Sequence, residues 1–160
     1  MKFIDTANTQ HIQELHSYNF IDGVTTNPSL MAKEGISGKQ NFYKRYIDIC
    51  ELVEGPVSAE VISTHHKGML DDAKHLASLH ANIVVKIPIT KEGLQVIRQL
   101  SAENIKTNCT LIFTSAQALL AAKAGAAYIS PFVGRVEDNS FDGVALIKDI
   151  AAIYRKQYIT

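Results

Sequence analysis

One lysine, Lys86, lies in the middle of an apolar, β-branched run, Ile-Val-Val-Lys-Ile-Pro-Ile, at residues 83–89. A short apolar run of this kind is typical of a buried strand in a parallel sheet. Burial of an ammonium ion is costly, so a buried lysine without a partner tends to lose its proton. A neutral lysine can attack a carbonyl carbon and form a Schiff base. The alternative is a lysine at a strand end that extends its ammonium group into solvent.

Two carboxylates also interrupt strand-like segments. Asp5 follows Phe3 and Ile4 and is a candidate site residue. The alternative is that it only caps the N-terminus of the next helix. Glu60 lies within the run Ser-Ala-Glu-Val-Ile, where a buried carboxylate needs a partner or a chemical task. If the strands close into a barrel, Glu60 and Lys86 are neighbours that can share and relay a proton, as Schiff-base chemistry requires. A purely structural ion pair is the alternative.

Polar residues stand at the end of each predicted strand. Their hydroxyl and amide groups can hydrogen-bond a polyol or a water, although threonine favours strands and asparagine favours turns in any case. Arg135 follows the sixth strand-like run, and its planar fork suits a phosphate; a surface salt bridge is the alternative. The candidate polar residues are Thr25, Thr26, Asn27, Asn108 and Thr110, and Ser130 ends the sixth predicted strand.

Six short strand-like runs alternate with amphipathic segments along the chain. Strand starts recur about every 20–35 residues, the interval that a right-handed βαβ unit needs, which predicts an α/β protein with a parallel sheet. The predicted strands are Lys2–Asp5, Gly23–Thr26, Val57–Ile62, Ile83–Ile87, Thr107–Leu111 and Ala127–Ser130. The predicted helices are Gln10–Ser17, Lys39–Leu52, Lys67–Leu79, Lys91–Ala102, Ser115–Ala124 and Phe141–Tyr158.

The polar strand ends favour a (β/α) barrel over an open doubly wound sheet. The first predicted turn, Thr6-Ala7-Asn8, lacks the glycine-rich sequence that a dinucleotide-binding sheet normally carries there. In a barrel, the carboxyl ends of all strands converge on one catalytic face. No linker or low-complexity segment interrupts the chain, so we expect residues 1–160 to form a single (β/α) barrel domain.

Composition argues against several kinds of partner. Lysine plus arginine and aspartate plus glutamate each number 16, so a zero net charge gives no basic surface for nucleic acid or acidic membranes. No segment is long enough to span a membrane, and the run from Met1 to Asp5 lacks the long apolar stretch of a signal peptide, so we expect neither feature. Only Cys50 and Cys109 occur, which indicates a reducing cytosol and a cytoplasmic protein. The six histidines form no ligand set, so we expect no metal.

Five motifs, in this order along essentially all 160 residues, resemble those of the transaldolase family. The resemblance is strongest to its small-subunit branch, which is close to fructose-6-phosphate aldolases. The motifs are Phe3-Ile4-Asp5-Thr6, Gly23-Val24-Thr25-Thr26-Asn27-Pro28-Ser29, Val84-Val85-Lys86-Ile87-Pro88, Asn108-Cys109-Thr110-Leu111-Ile112-Phe113 and Ile129-Ser130-Pro131-Phe132-Val133-Gly134-Arg135.

The resemblance implies a ping-pong transfer of a dihydroxyacetone unit between sugar phosphates of the pentose phosphate pathway. Lys86 would attack the ketone of fructose 6-phosphate or sedoheptulose 7-phosphate. Asp5 would take the hydroxyl proton as the carbon–carbon bond breaks. Glu60 and Thr110 resemble the pair that holds the catalytic water. The protonated imine serves as the electron sink, so no metal or organic cofactor is implied.

The same resemblance assigns the substrate contacts. Asn27, Asn108 and Ser130 match positions that bind the three-carbon unit, and Arg135 matches one that binds phosphate. Small-molecule sugar phosphates are therefore the expected partners.

Two positions favour a transaldolase over an aldolase. The aldolase branch is expected to carry glutamine in place of Glu60 and tyrosine in place of Phe132. A tyrosine hydroxyl near the imine can orient the water that releases the three-carbon unit, whereas phenylalanine cannot hydrogen-bond. We therefore predict a transaldolase. The alternatives are a fructose-6-phosphate aldolase-like lyase and another lysine-dependent aldolase barrel.

The family folds as an eight-unit barrel, of which six β/α units are recognisable in this sequence. Such barrels rarely fall below about 200 residues. A six-stranded sheet leaves its first and sixth strands as unpaired edges, which invite pairing with another chain. We therefore expect a homo-oligomer. A catalytically impaired barrel that serves only as an oligomeric scaffold is the alternative.

Overall fold

The computed structural model describes residues 1–159, in which six strands alternate with eight helices. The strands are β1 (Phe3–Asp5), β2 (Gly23–Thr25), β3 (Val57–Glu60), β4 (Ile83–Pro88), β5 (Thr107–Ile112) and β6 (Tyr128–Pro131). The helices are α1 (Thr9–Ser17), α2 (Pro28–Lys33), α3 (Lys39–Leu52), α4 (His66–Leu79), α5 (Lys91–Ala102), α6 (Ser115–Ala124), α7 (Val133–Asp138) and α8 (Gly143–Lys156).

The chain divides into two compact units. The first comprises Met1–Ser63 and Gly68–Val85, and the second comprises Thr64–Lys67 and the residues from Lys86 onward. The division passes through β4, so that Lys86 begins the second unit.

In the first unit, β1 pairs in parallel with β2, and β2 pairs in parallel with β3. The register places Asp5 opposite Thr25 and Thr25 opposite Ser58, so the carboxyl ends of the strands are aligned. The alternating strands and helices bury an apolar core because each sheet face and each helix stripe must be covered by the next layer. Its fully buried members include Ile12, Val24, Met31, Ile49, Val57 and Met69.

In the second unit, β5 pairs in parallel with β6, and the register shifts between Cys109 and Ile112. The end of β4 is joined to β5 by a hydrogen bond from the Ile89 amide to the Thr110 carbonyl, at 3.0 Å. The core of this unit is again aliphatic. Its fully buried members include Ile87, Val96, Ile97, Leu100, Ala118 and Ala121.

The α/β class and the six β/α units are confirmed. In each unit the strand order follows the order along the chain, as in consecutive units of a (β/α) barrel and unlike the crossed order of a doubly wound sheet. Strand β3 ends at Glu60, two residues before the predicted end, whereas β4 continues one residue further to Pro88. The expectation of a single domain over residues 1–160 stays a prediction, and Thr160 lies outside the described residues.

Two short helices, α2 and α7, were not predicted. Pro28 is the first residue of α2, a position where its missing N–H costs nothing. Asn27 caps this helix, because its Oδ1 accepts a hydrogen bond from the Leu30 amide at 2.9 Å. Helix α7 begins directly after Phe132 and contains Arg135. Both helices follow a strand end that carries candidate site residues.

Candidate active site

Lys86 is a buried residue of β4. Its side chain is 4% exposed, and its neighbours Val85 and Ile87 are fully buried. The alternative in which the ammonium group extends into solvent is therefore wrong. Lys86 is the one charged side chain among the buried residues of the described chain, the other buried polar ones being threonine, serine and asparagine. Such a placement is unusual for lysine and is characteristic of residues with a chemical task.

Asp5 ends β1 and is exposed. Its Oδ1 accepts a hydrogen bond from Oγ1 of Thr25 on the neighbouring strand, at 2.9 Å. The N-cap of the following helix is Asn8, whose side chain accepts from the His11 amide at 3.0 Å. The alternative of a capping role for Asp5 is therefore wrong, and its carboxylate is oriented by Thr25 at the carboxyl end of the strand.

Thr26 and Asn27 follow β2 directly. Thr26 is fully buried, its amide donates to the Ser58 carbonyl at 3.3 Å, and its Oγ1 has no hydrogen-bond partner among residues 1–159. A buried hydroxyl without a partner is costly, and a bound ligand or water can satisfy it. The cap to α2 uses Oδ1 of Asn27, which leaves Nδ2 as the group that can donate to a ligand.

Glu60 is the last residue of β3 and is half-buried. It lines a cavity of about 10 Å³ together with Tyr46 and Asp72 of the same unit. The sequence analysis did not single out Tyr46. It lies on the apolar face of a helical segment, beside Ile49 and Cys50, so its pattern indicated a core residue only.

Asn108 and Ser130 form a direct pair between β5 and β6. The Ser130 hydroxyl donates to Oδ1 of Asn108 at 2.9 Å, and Asn108 is 3% exposed. This bond restricts rotation of the Asn108 amide and directs its Nδ2 away from Ser130. The structure thus brings together two of the residues that were predicted to bind the three-carbon unit.

Thr110 lies beside a β-bulge in β5. Leu111, the next residue, has a φ of +61°, a left-handed conformation that is rare for a branched side chain. The register shift between Cys109 and Ile112 spans this point. A bulge bends the strand and changes the direction of the adjacent side chains. The Thr110 hydroxyl is buried and has no hydrogen-bond partner in the described part of the chain, as a site for a water would require.

Phe132 and Arg135 flank the start of α7. The Phe132 ring packs edge-on against Phe113 with 5.7 Å between ring centroids. The Arg135 side chain is 73% exposed and forms an ion pair with Asp138, at 3.2 Å. The surface salt bridge that was the alternative for Arg135 is therefore present, and binding of a phosphate requires the guanidinium to exchange this partner.

The candidate residues fall into two groups, each within one unit. Asp5, Thr26, Asn27 and Glu60 lie at or directly after the carboxyl ends of three consecutive strands in the first unit. Those of the second unit lie on β4, β5 and β6 and at the start of α7. They are Lys86, Asn108, Thr110, Ser130, Phe132 and Arg135.

Among residues 1–159, no cluster of three or more histidine, cysteine, aspartate or glutamate side chains could hold a metal ion. Within the same residues, no helix is long and apolar enough to cross a membrane. Both cysteines are free and buried, and burial raises the pKa of each thiol to about 12.

Residues 2–160 match the protein family described as Transaldolase/Fructose-6-phosphate aldolase. The chain is 58% identical over 152 residues to a probable transaldolase of Porphyromonas gingivalis, covering 95% of this chain and 69% of that protein. It is 56% identical over 153 residues to a probable transaldolase of Bacteroides fragilis, covering 96% of this chain and 70% of that protein. A solved mandelate oxidase variant with (S)-mandelic acid superimposes with a TM-score of 0.50 at 10% identity, covering 77% of this chain and 44% of that one. That likeness concerns the fold alone.

Proposed function

Because the chain belongs to the transaldolase/fructose-6-phosphate aldolase family, we propose that it is a transaldolase. It would move a dihydroxyacetone unit from a ketose phosphate to an aldose phosphate, with sedoheptulose 7-phosphate or fructose 6-phosphate as donor, within the pentose phosphate pathway. The observation that supports this most is the burial of Lys86, which is 4% exposed within the motif that resembles the imine-forming segment of the family.

In the proposed reaction, the neutral amine of Lys86 attacks the ketone carbon of the donor. The carbinolamine that forms loses water and becomes a protonated imine. This imine withdraws electrons from the adjacent carbon–carbon bond, so the reaction needs no other electron sink.

Asp5 acts as the general base of the cleavage step. It takes the proton from the donor hydroxyl next to the scissile bond, the bond breaks, and an aldose phosphate leaves. The electron pair enters the imine, and the three-carbon unit stays on Lys86 as an enamine. The enamine carbon then attacks the aldehyde of the acceptor, and Asp5 returns its proton to the new hydroxyl group.

In the proposed mechanism, Glu60 and Thr110 act on the water of imine formation and hydrolysis. The Thr110 hydroxyl positions the water that leaves during imine formation and returns during hydrolysis, while Glu60 transfers the proton. The buried, unpartnered Oγ1 of Thr110 within the described residues supports this role, since a bound water would satisfy it.

The remaining candidates hold the substrate. Asn27, Asn108 and Ser130 would bind the three-carbon unit, with Thr26 adding a hydroxyl. Arg135 would bind the phosphate after releasing Asp138, with which it is paired at 3.2 Å. The planar guanidinium can donate two parallel hydrogen bonds to a phosphate, whereas a single exposed carboxylate partner contributes little.

Glu60 and Phe132 favour transfer over simple aldol cleavage. Phe132 packs against Phe113 and offers no hydroxyl to orient a water at the enamine. The enamine therefore persists until an acceptor aldehyde arrives. An aldolase-like lyase is the second candidate, and the dependence of turnover on the acceptor separates the two.

Two further expectations belong to this proposal. We expect the protein in the cytoplasm, in keeping with two free, buried cysteines. We also expect a homo-oligomer, which is supported by apolar side chains of α6 and α8 that are 43–55% exposed, namely Leu120, Val144 and Ile147.

Trapping of the imine tests the proposal. The protein is incubated with fructose 6-phosphate, reduced with borohydride, digested and analysed by mass spectrometry. We expect a reduced three-carbon adduct on Lys86, and none in the Lys86→Met variant. Absence of the adduct from the wild-type protein would show that it is not a Schiff-base enzyme for this donor, which leaves the scaffold alternative.

A coupled assay with and without erythrose 4-phosphate distinguishes the candidate activities. A transaldolase turns over continuously only when the acceptor is present, because the three-carbon unit otherwise stays on Lys86. Free dihydroxyacetone released at the same rate without acceptor would identify a lyase. Light scattering on the same sample measures the oligomeric state.

A further inference from the structure

Tyr46 places a buried phenol next to a residue of the proposed proton relay. Its side chain extends from α3, is 1% exposed and is among the largest fully buried side chains of the described chain. Its hydroxyl oxygen is buried and makes no well-formed hydrogen bond to any residue of the range 1–159. Buried tyrosine hydroxyls normally find a partner, because an unpaired polar group away from water is costly.

The surroundings of this hydroxyl point to Glu60. Tyr46 and Glu60 line the same cavity, whose volume of about 10 Å³ is close to that needed by one water molecule. Burial raises the pKa of Tyr46 to about 12. A hydrogen-bonding interaction with the Glu60 backbone opposes this rise, and the negative charge of Glu60 adds to it. Tyr46 is therefore a protonated phenol, a hydrogen-bond donor, throughout the physiological pH range.

Asp72, the other carboxylate that lines this cavity, already accepts several hydrogen bonds. Asp72 accepts hydrogen bonds from Lys39 at 3.1 Å and from the amides of Ile62 and Ser63 at 3.2 and 2.9 Å. The Tyr43 ring packs against another aromatic ring, that of His75, with 4.6 Å between centroids. Of the two carboxylates, it is Glu60 whose charge acts on Tyr46, which makes it the acceptor that one water in this cavity can link to the phenol.

We propose that Tyr46 is a positioning residue, which donates a hydrogen bond through one water molecule in this cavity to the Glu60 carboxylate. The bond fixes the orientation in which Glu60 transfers its proton. The catalytic consequence rests on the proposed function, whereas the link between Tyr46 and Glu60 does not. Substrate is not required for that link, so it can be measured on the protein alone.

The direct test compares Tyr46→Phe with Tyr43→Phe, a control on the same helix and around the same cavity. The pKa of the Glu60 carboxyl is followed by NMR on protein with ¹³C-labelled glutamate, and the Glu60→Gln variant identifies the resonance. Loss of a donor disfavours the carboxylate, so we expect Tyr46→Phe to raise this pKa by about one unit. We expect Tyr43→Phe to leave it unchanged.

Stability and kinetics separate positioning from packing. Tyr46→Phe keeps the buried ring and removes only the water-mediated hydrogen bond, so its urea midpoint should fall only slightly below that of the wild type, whereas a loss of packing would lower it markedly. Its kcat for transfer should fall about 3–10-fold with an unchanged donor KM, because proton transfer is affected rather than binding.

The outcomes are distinct for the two proposals. An unchanged Glu60 pKa in Tyr46→Phe, or an equal rise in Tyr43→Phe, would overturn the role of Tyr46 whatever the activity. A wild-type protein that forms no imine would overturn the proposed function, and the pKa comparison would still report on the link between Tyr46 and Glu60. An unchanged kcat combined with a raised Glu60 pKa would refute the catalytic consequence alone.

Discussion

The Thr25 hydroxyl donates a hydrogen bond to Oδ1 of Asp5 across the β1–β2 pair, with 2.9 Å between the oxygens. The two residues are directly opposite each other in the parallel register, although they are 20 positions apart in the chain. A donor on one carboxylate oxygen restricts rotation of the group and leaves the other oxygen to receive a proton. Thr25 therefore orients the carboxylate that we propose as the base of carbon–carbon cleavage.

Replacement of Thr25 tests this orientation. Thr25→Val keeps the shape of the side chain but removes the donor, so we expect kcat for transfer to fall about tenfold, the effect of one hydrogen bond to a charged group. The donor KM should change little, because Thr25 orients the base that acts in bond cleavage and does not contribute to binding of the ketose. Thr25→Ser retains the hydroxyl and should keep most of the activity. Equal rates for the valine and serine variants in steady-state assays would contradict this role.

The bond between Ser130 and Asn108 leads to a different expectation. Ser130→Ala removes the donor that holds the Asn108 amide, at 2.9 Å, so the amide can rotate away from the three-carbon unit. Loss of one neutral hydrogen bond corresponds to about 1 kcal/mol, which is about a fivefold rise in the donor KM. Ser130→Thr supplies the same hydroxyl as a control. An alanine variant with wild-type affinity for fructose 6-phosphate, measured by calorimetry, would argue against the assignment of this pair.

The strained residue Leu111 makes a prediction about stability. Its φ of +61° is left-handed, and its side chain is 39% exposed, so it contributes little to the core. Leu111→Gly removes the strain of the folded state but raises the conformational entropy of the unfolded chain. These two effects on the free energy of unfolding should cancel to within about 0.5 kcal/mol. Leu111→Val adds β-branching at the same φ and should destabilise the protein by about 1–2 kcal/mol. Urea unfolding measures both, and a valine variant as stable as the glycine variant would rule out strain at this position.

The order of the elements could be predicted from sequence because it follows from local patterns. The run around Lys86 is apolar over consecutive positions, and such a run is buried on both faces of a parallel sheet, as the 4% exposure of Lys86 bears out. The bounds of α5 and α6 are those predicted, since a threonine caps each helix, and in α5 the apolar positions also recur at helical spacing.

Features that depend on register or on short segments could not be predicted in this way. Helices α2 and α7 have six residues each, too few for a helical period to be recognised. The bulge at Leu111 has no sequence signal, because bulges of this kind usually place glycine at the left-handed position. The pairing of Arg135 with Asp138 follows from α7, since residues three apart are neighbours only on a helix. The approach of Tyr46 to Glu60 depends on how α3 packs on β3.

Asp72 provides a test of pH-dependent stability in the first unit. Burial works to raise the pKa of Asp72, but hydrogen bonds from Ser63, Lys39 and Ile62 outweigh it and lower the pKa below 3.8. The unfolded chain therefore binds a proton more readily than the folded one. The stabilisation is complete above the unfolded pKa and is lost as the pH falls through the lower folded pKa.

Urea unfolding of the wild type and Asp72→Asn between pH 7 and pH 2 measures this contribution. At pH 7 the variant should be less stable by about 2 kcal/mol, because the amides of Ile62 and Ser63 lose their charged acceptor. Below about pH 4 the difference should shrink, since protonation removes the same charge from the wild type. Lys39→Met, which removes only the exposed partner, should have a much smaller effect at pH 7. Wild-type and Asp72→Asn curves that stay parallel down to pH 2 would mean that the Asp72 charge does not contribute to stability.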